Sequence, residues 1–349
     1  MDKNWQLFLD TVSRKNTTVV PVGFIVDSPW LPGYVGVDTL DYFLDENLWF
    51  DSNMGLRDRF PEVIWIPGFW WEYGMAIEAS AFGAHVMFHH DQPPSVEPFC
   101  TDLNFWAEHI KVRNPETDAL MPLVLRQIER MDQRLEPYGF GQHIACSRGI
   151  LTVASWFMGI ITLMESLISE PDTITPILDQ VTTTIIRWFD AQLKRMREPD
   201  GIMVLDDLVG MISKRQYQKM IEPHFRRIWE HFDCKVKIYH NDTPCEHLYP
   251  SLSEAGFNVF NFSFKAEIDQ TKKIMGDKIT LLGNVAPRDI GMAGTPEQVY
   301  QAAMDCLRKA ANGGGLILSF GGGISQDTPA CNIDAMVNAV KDWNQQENR

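Results

Sequence analysis

Along most of the chain, short apolar runs alternate with longer segments whose apolar positions recur every three or four residues. This is the rhythm of strands followed by amphipathic helices. The first run, 17–26, is rich in β-branched residues and ends at Asp27, before the turn Ser28-Pro29-Trp30-Leu31-Pro32-Gly33. Residues 62–66 predict strand two, with the aromatic cluster Phe69-Trp70-Trp71-Glu72-Tyr73 behind it. A short excursion at 85–88 and a mostly helical stretch over 102–137 lead to strand three at 142–146. A helix opens near Leu151, and Ile174, Ile177, Val181, Ile185, Trp188 and Met196 then recur at helical spacing, with Asp172 or Thr173 as the cap. Strand four, 201–205, ends in Asp206-Asp207 and is followed by a helix over 212–232. Strand five is 235–242, strand six 257–262, and strand seven 278–282, which ends at Gly283-Asn284. Thr295-Pro296-Glu297-Gln298 carries a threonine cap, a first-turn proline and a glutamine three residues after the cap, a strong helix start. Strand eight, 315–319, precedes Gly321-Gly322-Gly323, and Thr328-Pro329 opens the final helix.

Eight strands separated by helices predict an α/β fold: a single (β/α)8 TIM barrel over 1–349, with an N-terminal extension and a helical insertion after strand two. Reactive groups in such barrels sit at the strands' C-terminal ends. Asp27, Glu72, Cys146, Asp206, Asp207, His240, Asp242, Asn284 and Ser319 should therefore ring one mouth. Strand five organises that ring. His240 and Asp242 lie two apart on an extended segment, so an imidazole and a carboxylate converge on one spot, as a reaction centre or as a satisfied histidine–acid pair. Asp206 and Asp207 read either as metal-binding or proton-transferring carboxylates or as helix caps. Phe69, Trp70 and Trp71 read as the wall of a pocket for a flat substrate or, in a chain with 11 tryptophans, as packing. The adjacent pair His89-His90 lacks a ligand spacing, and the triple glycine lacks the spacing of a nucleotide fingerprint.

Composition narrows the partners. With 45% hydrophobic and 22% charged residues over 349 positions, the chain buries a large core. A net charge of -15 argues against nucleic acid and against an anionic membrane surface, both of which are held through clustered Lys and Arg. No run of eighteen apolar residues occurs, and Met1-Asp2-Lys3-Asn4-Trp5 lacks the features of a signal peptide, so a cytoplasmic location is expected. The six cysteines (100, 146, 234, 245, 306 and 331) form no close pair, which favours reduced thiols over a disulfide framework.

Several segments carry a resemblance. Leu282-Gly283-Asn284-Val285-Ala286-Pro287, Gly294-Thr295-Pro296-Glu297 and 317–329 resemble the C-terminal half of the uroporphyrinogen decarboxylase superfamily, and Glu78-Ala79-Ser80-Ala81-Phe82-Gly83-Ala84 resembles its N-terminal half. The superfamily includes cobalamin-dependent methyltransferases. Its decarboxylases hold a tetrapyrrole polyanion with an arginine-rich segment after strand one, whereas no arginine lies between Arg14 and Arg57 here. Its thiol-acting methyltransferases hold zinc with a His-x-Cys pair at strand five and a Cys after strand eight. The matching positions here are His240-Asn241-Asp242 and Gly322. The resemblance thus implies Zn(2+) on His240 and Asp242, completed by Glu72, Asp206 or Asp207, with Cys146 and Cys245 as donors off the family position. A harder, oxygen-rich donor set suits an oxygen leaving group. The implied activity is a corrinoid-dependent methyltransferase, the methyltransferase component of an O-demethylase. It would take a methyl group from an aromatic methyl ether or other small methylated substrate to the corrinoid (cobalamin) of a partner protein. In that reading His240, Asp242, Asp206, Asp207 and Glu72 are catalytic, and Asp27, Phe69, Trp70, Trp71, Asn284 and Ser319 bind substrate. A decarboxylase and a non-catalytic corrinoid- or porphyrin-binding protein stay open as alternatives. Docking of the corrinoid partner over the mouth predicts exposed apolar surface around Trp30, Trp70 and Trp71.

Overall fold

A computed structural model describes residues 2–347 except Thr17, so the first position of the expected strand one lies outside the described residues. The strands are shorter than the apolar runs that contain them: β1 (Gly23–Ile25), β2 (Ile64–Ile66), β3 (Ile144–Arg148), β4 (Gly201–Leu205), β5 (Val236–Asn241), β6 (Val259–Phe262), β7 (Thr280–Leu282) and β8 (Leu316–Ile317). Strands β3 to β8 pair in sequence order and in parallel, and β1 pairs in parallel with β2. The two sheets join where Leu318 N donates to Pro21 O at 2.9 Å, Gly23 N to Leu318 O at 3.0 Å and Ile324 N to Ile25 O at 3.2 Å. The result is the expected barrel.

One seam is closed by side chains. No strand pairing joins β2 to β3 among the described residues, and the exposed edge of β3 is satisfied instead by polar side chains. Gln192 accepts from Cys146 N at 3.1 Å and donates to Cys146 O at 2.9 Å, and Glu78 accepts from Arg148 N at 3.2 Å. A buried backbone group without such partners costs free energy, which explains two buried polar side chains beside an open strand edge.

Period-two alternation sets what faces inward. Ile144 and Cys146, Met203 and Leu205, and Val236 and Ile238 fill the barrel interior, whereas Ile202, Val204 and Tyr239 pack against the helical layer. The N-terminal helix Lys3–Val12 closes the bottom with Trp5, Phe8 and Val12. Each such anchor contributes about 1.5–3 kcal/mol by leaving water. Between β2 and β3 lie an antiparallel hairpin (His85–Met87 with Ser95–Glu97) and the helices Leu103–His109 and Met121–Leu135, so only part of 102–137 is helical. The long helix Pro171–Leu193 starts one residue before the expected cap. Glu170 is its N-cap without a side-chain bond, because the proline at N1 fixes the first turn, and Met196 lies beyond its end. Thr295 and Gln298 form the expected reciprocal cap.

Candidate active site

The inward face of β5 runs Val236, Ile238, His240, so the imidazole emerges at the C-terminal mouth. On β4 the inward residues are Met203 and Leu205, and the next inward position is Asp207. Single ligand atoms of Asp207, His240 and Asp242 all lie within 4.8 Å of one another. His240 Nε2 is 3.4 Å from Asp207 Oδ1, and Asp242 N donates to that same oxygen at 3.1 Å.

The histidine's tautomer is fixed from behind. Asn261 on β6 donates through Nδ2 to Leu282 O at 2.7 Å and to Phe320 O at 3.0 Å, so its Oδ1 must be an acceptor. That oxygen lies 2.7 Å from His240 Nδ1, which therefore carries a proton, and Nε2 is turned toward the two carboxylates. Three donors around a tetrahedral ion with bonds of about 2.0–2.2 Å stand about 3.4 Å apart. The His240–Asp207 separation matches this spacing, so the set fits a divalent cation.

The two adjacent aspartates have opposite fates. Asp206 belongs to the outward series of Ile202 and Val204, and its carboxylate accepts from Leu151 N at 2.9 Å, Thr152 N at 3.0 Å and Thr152 Oγ1 at 2.8 Å. It caps the helix Ile150–Met158, burial holds its carboxyl up at about 7, and Gly149 is required because a Cβ there would lie 2.3 Å from the Asp206 Cβ. Thus the cap reading holds for Asp206, and Asp207 joins His240 and Asp242. Loss of hydration, reinforced by the charge of Asp207, pushes the Asp242 carboxyl up.

A second acidic group lies across the mouth at β1 and β2. Glu72 is buried, accepts from Ser28 N at 3.1 Å and from Gly74 N, and is raised to about 7 by burial. Asp27 is raised to about 8 by burial and by the Glu72 charge, and its Oδ1 has no partner. Glu78, behind β3, is likewise raised to about 7. The glycine loop separates the groups: a Cβ at Gly322 would stand 3.4 Å from Asp242 Oδ2, and one at Gly323 would stand 3.6 Å from Asp27 Oδ2.

Other expected residues fall elsewhere. Phe69 and Trp71 are buried in the wall, Trp71 stacking on Trp49 at 4.2 Å and Phe69 lying 4.7 Å from the Arg57 guanidinium, and with half-buried Trp70 they line a closed cavity at the β2–β3 seam. Trp30 and Trp71 are each 1% exposed and Trp70 is half-buried, so these tryptophans do not form the expected apolar docking surface; exposed apolar side chains among the described residues include Phe88, Ile160, Ile161, Ile168 and Met211. Asn284 donates to Ser263 O and Ala266 O, fixing the loop after β6, and Cys146 points into the closed cavity. Buried Ser319 follows inward-facing Ile317 and has a partnerless Oγ.

Two residues were missed by sequence reasoning. Asn261 gave no signal beyond alternation from Val259. Arg148 ends β3 on the inward series of Ile144 and Cys146, 3.4 Å from Asp207 Oδ2, and it lines an open groove of about 360 Å³ with Trp156, Leu208, Ile160 and Asp207. Its place at a strand end before Gly149 was the readable clue.

This barrel, with its inward histidine and acids, has the architecture of one family. The uroporphyrinogen decarboxylase (URO-D) family model matches residues 6–343, and the chain belongs to that family. It is 23% identical over 304 residues to the methylated-thiol–coenzyme M methyltransferase of Methanosarcina mazei, covering 84% of this chain and 78% of that protein. It is 24% identical over 224 residues to uroporphyrinogen decarboxylase of Coxiella burnetii, covering 62% of this chain and spanning only 60% of the decarboxylase's length. A solved methyltransferase from Methanosarcina mazei superposes with a TM-score of 0.81 over 96% of this chain and 97% of its own, at 19% identity, which establishes the shared fold.

Proposed function

We propose that this protein moves a methyl group from a small methylated compound, specifically a methoxylated aromatic, to the Co(I) corrinoid of a cytoplasmic partner protein. The observation that carries this reading is the Asp207–His240–Asp242 set, a hard donor group at the mouth of a methyltransferase-type barrel. Asp207, His240 and Asp242 would hold the metal, a zinc ion. Such an ion supplies a positive centre for the ether oxygen, on which negative charge develops as the methyl group departs.

The chain's own residues do the rest. Asn261 keeps His240 Nε2 turned forward, and Gly322 leaves the space beside Asp242 open. Asp27 and Glu72 hold their protons close to neutrality, so a carboxyl proton is available to the departing oxygen. A polycarboxylate substrate would meet an acidic mouth in which the guanidinium of Arg148 already lies against Asp207. This disfavours a decarboxylase.

The test is turnover. Protein mixed with Co(I) cobalamin and a panel of methoxyarenes, methylamines and methylthiols is expected to give methylcobalamin from the methoxyarenes, and His240→Ala is expected to abolish it. A panel with no methyl transfer ends the proposal.

A further inference from the structure

The groove beside Asp207 is unevenly built. Trp156, Leu208, Ile160, Val96 and Pro98 give it apolar walls, and the hydroxyls of Thr152 and Ser155 are turned to Asp206 and to Thr152 O. Its remaining polar groups are Arg148 and Asp207. Its volume of about 360 Å³ lies in the range of small-molecule sites and suits one substituted ring.

Arg148 is held but poorly satisfied. Its guanidinium lies 5.2 Å from the centroid of the Trp156 ring, which fixes its plane. Its contact to Asp207 Oδ2, at 3.4 Å, is longer than the 2.7–2.9 Å or so of a charge-assisted hydrogen bond. Nε has no partner, and among the described residues no other side-chain bond from Arg148 is found. Of five donors on a rigid fork, most have no acceptor in the protein. A half-buried cation with few partners gains from a group that completes it. The side chain lines a cavity with an aromatic wall.

We infer that Arg148 is the anchor for an anionic oxygen on the substrate ring, so that the preferred donor is an aryl methyl ether carrying an acidic group close to the methoxyl. Resting on the methyltransferase reading, the inference narrows its substrate class. The geometry sets the spacing. Arg148 Nη1 and the Asp207–His240–Asp242 set meet at a single carboxylate, so acid and methoxyl belong on neighbouring ring positions rather than opposite ones. A carboxylate and an ionised phenol offer the same chemistry to the guanidinium, and different probes separate them.

Two measurements test the anchor. The first is binding without turnover: benzoate titrated into the protein, followed by tryptophan fluorescence, reports on Trp156 beside the site. Saturable quenching is expected, weakened at least about 30-fold in Arg148→Gln and partly restored in Arg148→Lys, which keeps the charge without the fork. The second is selectivity. The kcat/KM ratio of 2-methoxybenzoate, and separately of 2-methoxyphenol above its pKa, over anisole is expected to collapse in Arg148→Gln. If benzoate binding is lost in Arg148→Gln yet no methoxyarene is turned over, the anchor stands and the methyltransferase reading falls. If methoxyarenes are turned over but the wild type does not prefer the acids, or Arg148→Gln lowers all substrates equally, the anchor is overturned. Circular dichroism melts of each variant separate lost binding from lost folding.

Discussion

Strands β4 and β5 border a histidine–aspartate cluster at each end, the lower histidine, His143, coming from just before β3, and the two clusters are opposites. At the bottom Asp200, just before β4, accepts from Trp5 Nε1 at 2.7 Å and from Lys235 Nζ at 2.7 Å, and lies 3.1 Å from His143 Nδ1. These donors outweigh burial and hold its carboxyl well below the usual range. At the top Asp207 and Asp242 share one imidazole and one guanidinium at 3.4 Å from Asp207, and loss of hydration with the like charge of Asp207 holds Asp242 up. Similar residue types on the same strands are thus neutralised at one end and left short of positive charge at the other. A cluster whose needs are met stabilises the fold, whereas one left short of a cation is prepared to take one up.

Substitution at each end gives the largest contrast. His240→Ala or Asp207→Asn is expected to lower methyl transfer by roughly a thousand-fold or more with little change in melting temperature. Asp200→Asn should do the reverse. It leaves one acceptor oxygen where Trp5 and Lys235 each have their own and removes the charge that pairs Lys235, so about 2–3 kcal/mol of stability is lost in denaturant titration while the folded fraction keeps its kcat. An Asp200→Asn variant that folds normally but is inactive would erase the distinction between the two ends.

Next in size is the support behind His240. Asn261→Ala removes the acceptor that fixes the Nδ1 proton, and zinc affinity by competition with a chelator is expected to fall about 10–100-fold. The neighbouring loop tests the same point from the front. A cysteine at Gly322 would place its Cβ 3.4 Å from Asp242 Oδ2, so Gly322→Cys is expected to add a thiolate to the set. Cobalt(II)-loaded protein should then show a thiolate-to-metal absorption band that the wild type lacks. The backbone at φ +134° makes the substitution strained by about 1–3 kcal/mol, visible as a lower melting temperature.

What could be read before folding follows the same divide. Alternation and capping are local, so all eight strands, the Thr295 cap and the shared face of His240 and Asp242 were legible. The division of labour between Asp206 and Asp207 was not. It depends on a helix start at Leu151 and Thr152, some fifty residues away in sequence, being packed against the outward face of β4. The aromatic cluster misled for a related reason: Phe69, Trp70 and Trp71 follow a strand, as mouth residues do, but the unpaired β2–β3 seam draws them into the wall. Trp156, on a helix with an almost continuous apolar sequence, borders the groove. Arg148 and Asn261 became visible only once neighbouring strands fixed what lies beside them.

The last contrast concerns the acids held up by burial, which Arg148 offsets only in part at Asp27 and Glu78. Asp27 keeps its proton to about pH 8 when folded but releases it near 3.8 when unfolded, and Glu72, Glu78 and Asp206 behave alike up to about pH 7. Between those limits the folded state binds more protons than the unfolded one. Their contribution to stability is therefore present in full only below the unfolded carboxyl range near 4, falls progressively as pH rises, and is gone once pH has passed 7 to 8. The bottom cluster has the opposite sign, because Asp200 is lowered; its contribution persists from the unfolded carboxylate range upward. The melting temperature of metal-free protein is accordingly expected to drop from pH 5.5 to pH 8.5 and to level off above that. Asp27→Asn should reduce that slope by removing a proton-release step, whereas Asp200→Asn should lower the whole curve and leave its slope intact. A wild-type curve that is flat over this range, or an Asp27→Asn slope equal to the wild type, would mean that water or a neighbour solvates Asp27 and that its proton is not held for the departing oxygen.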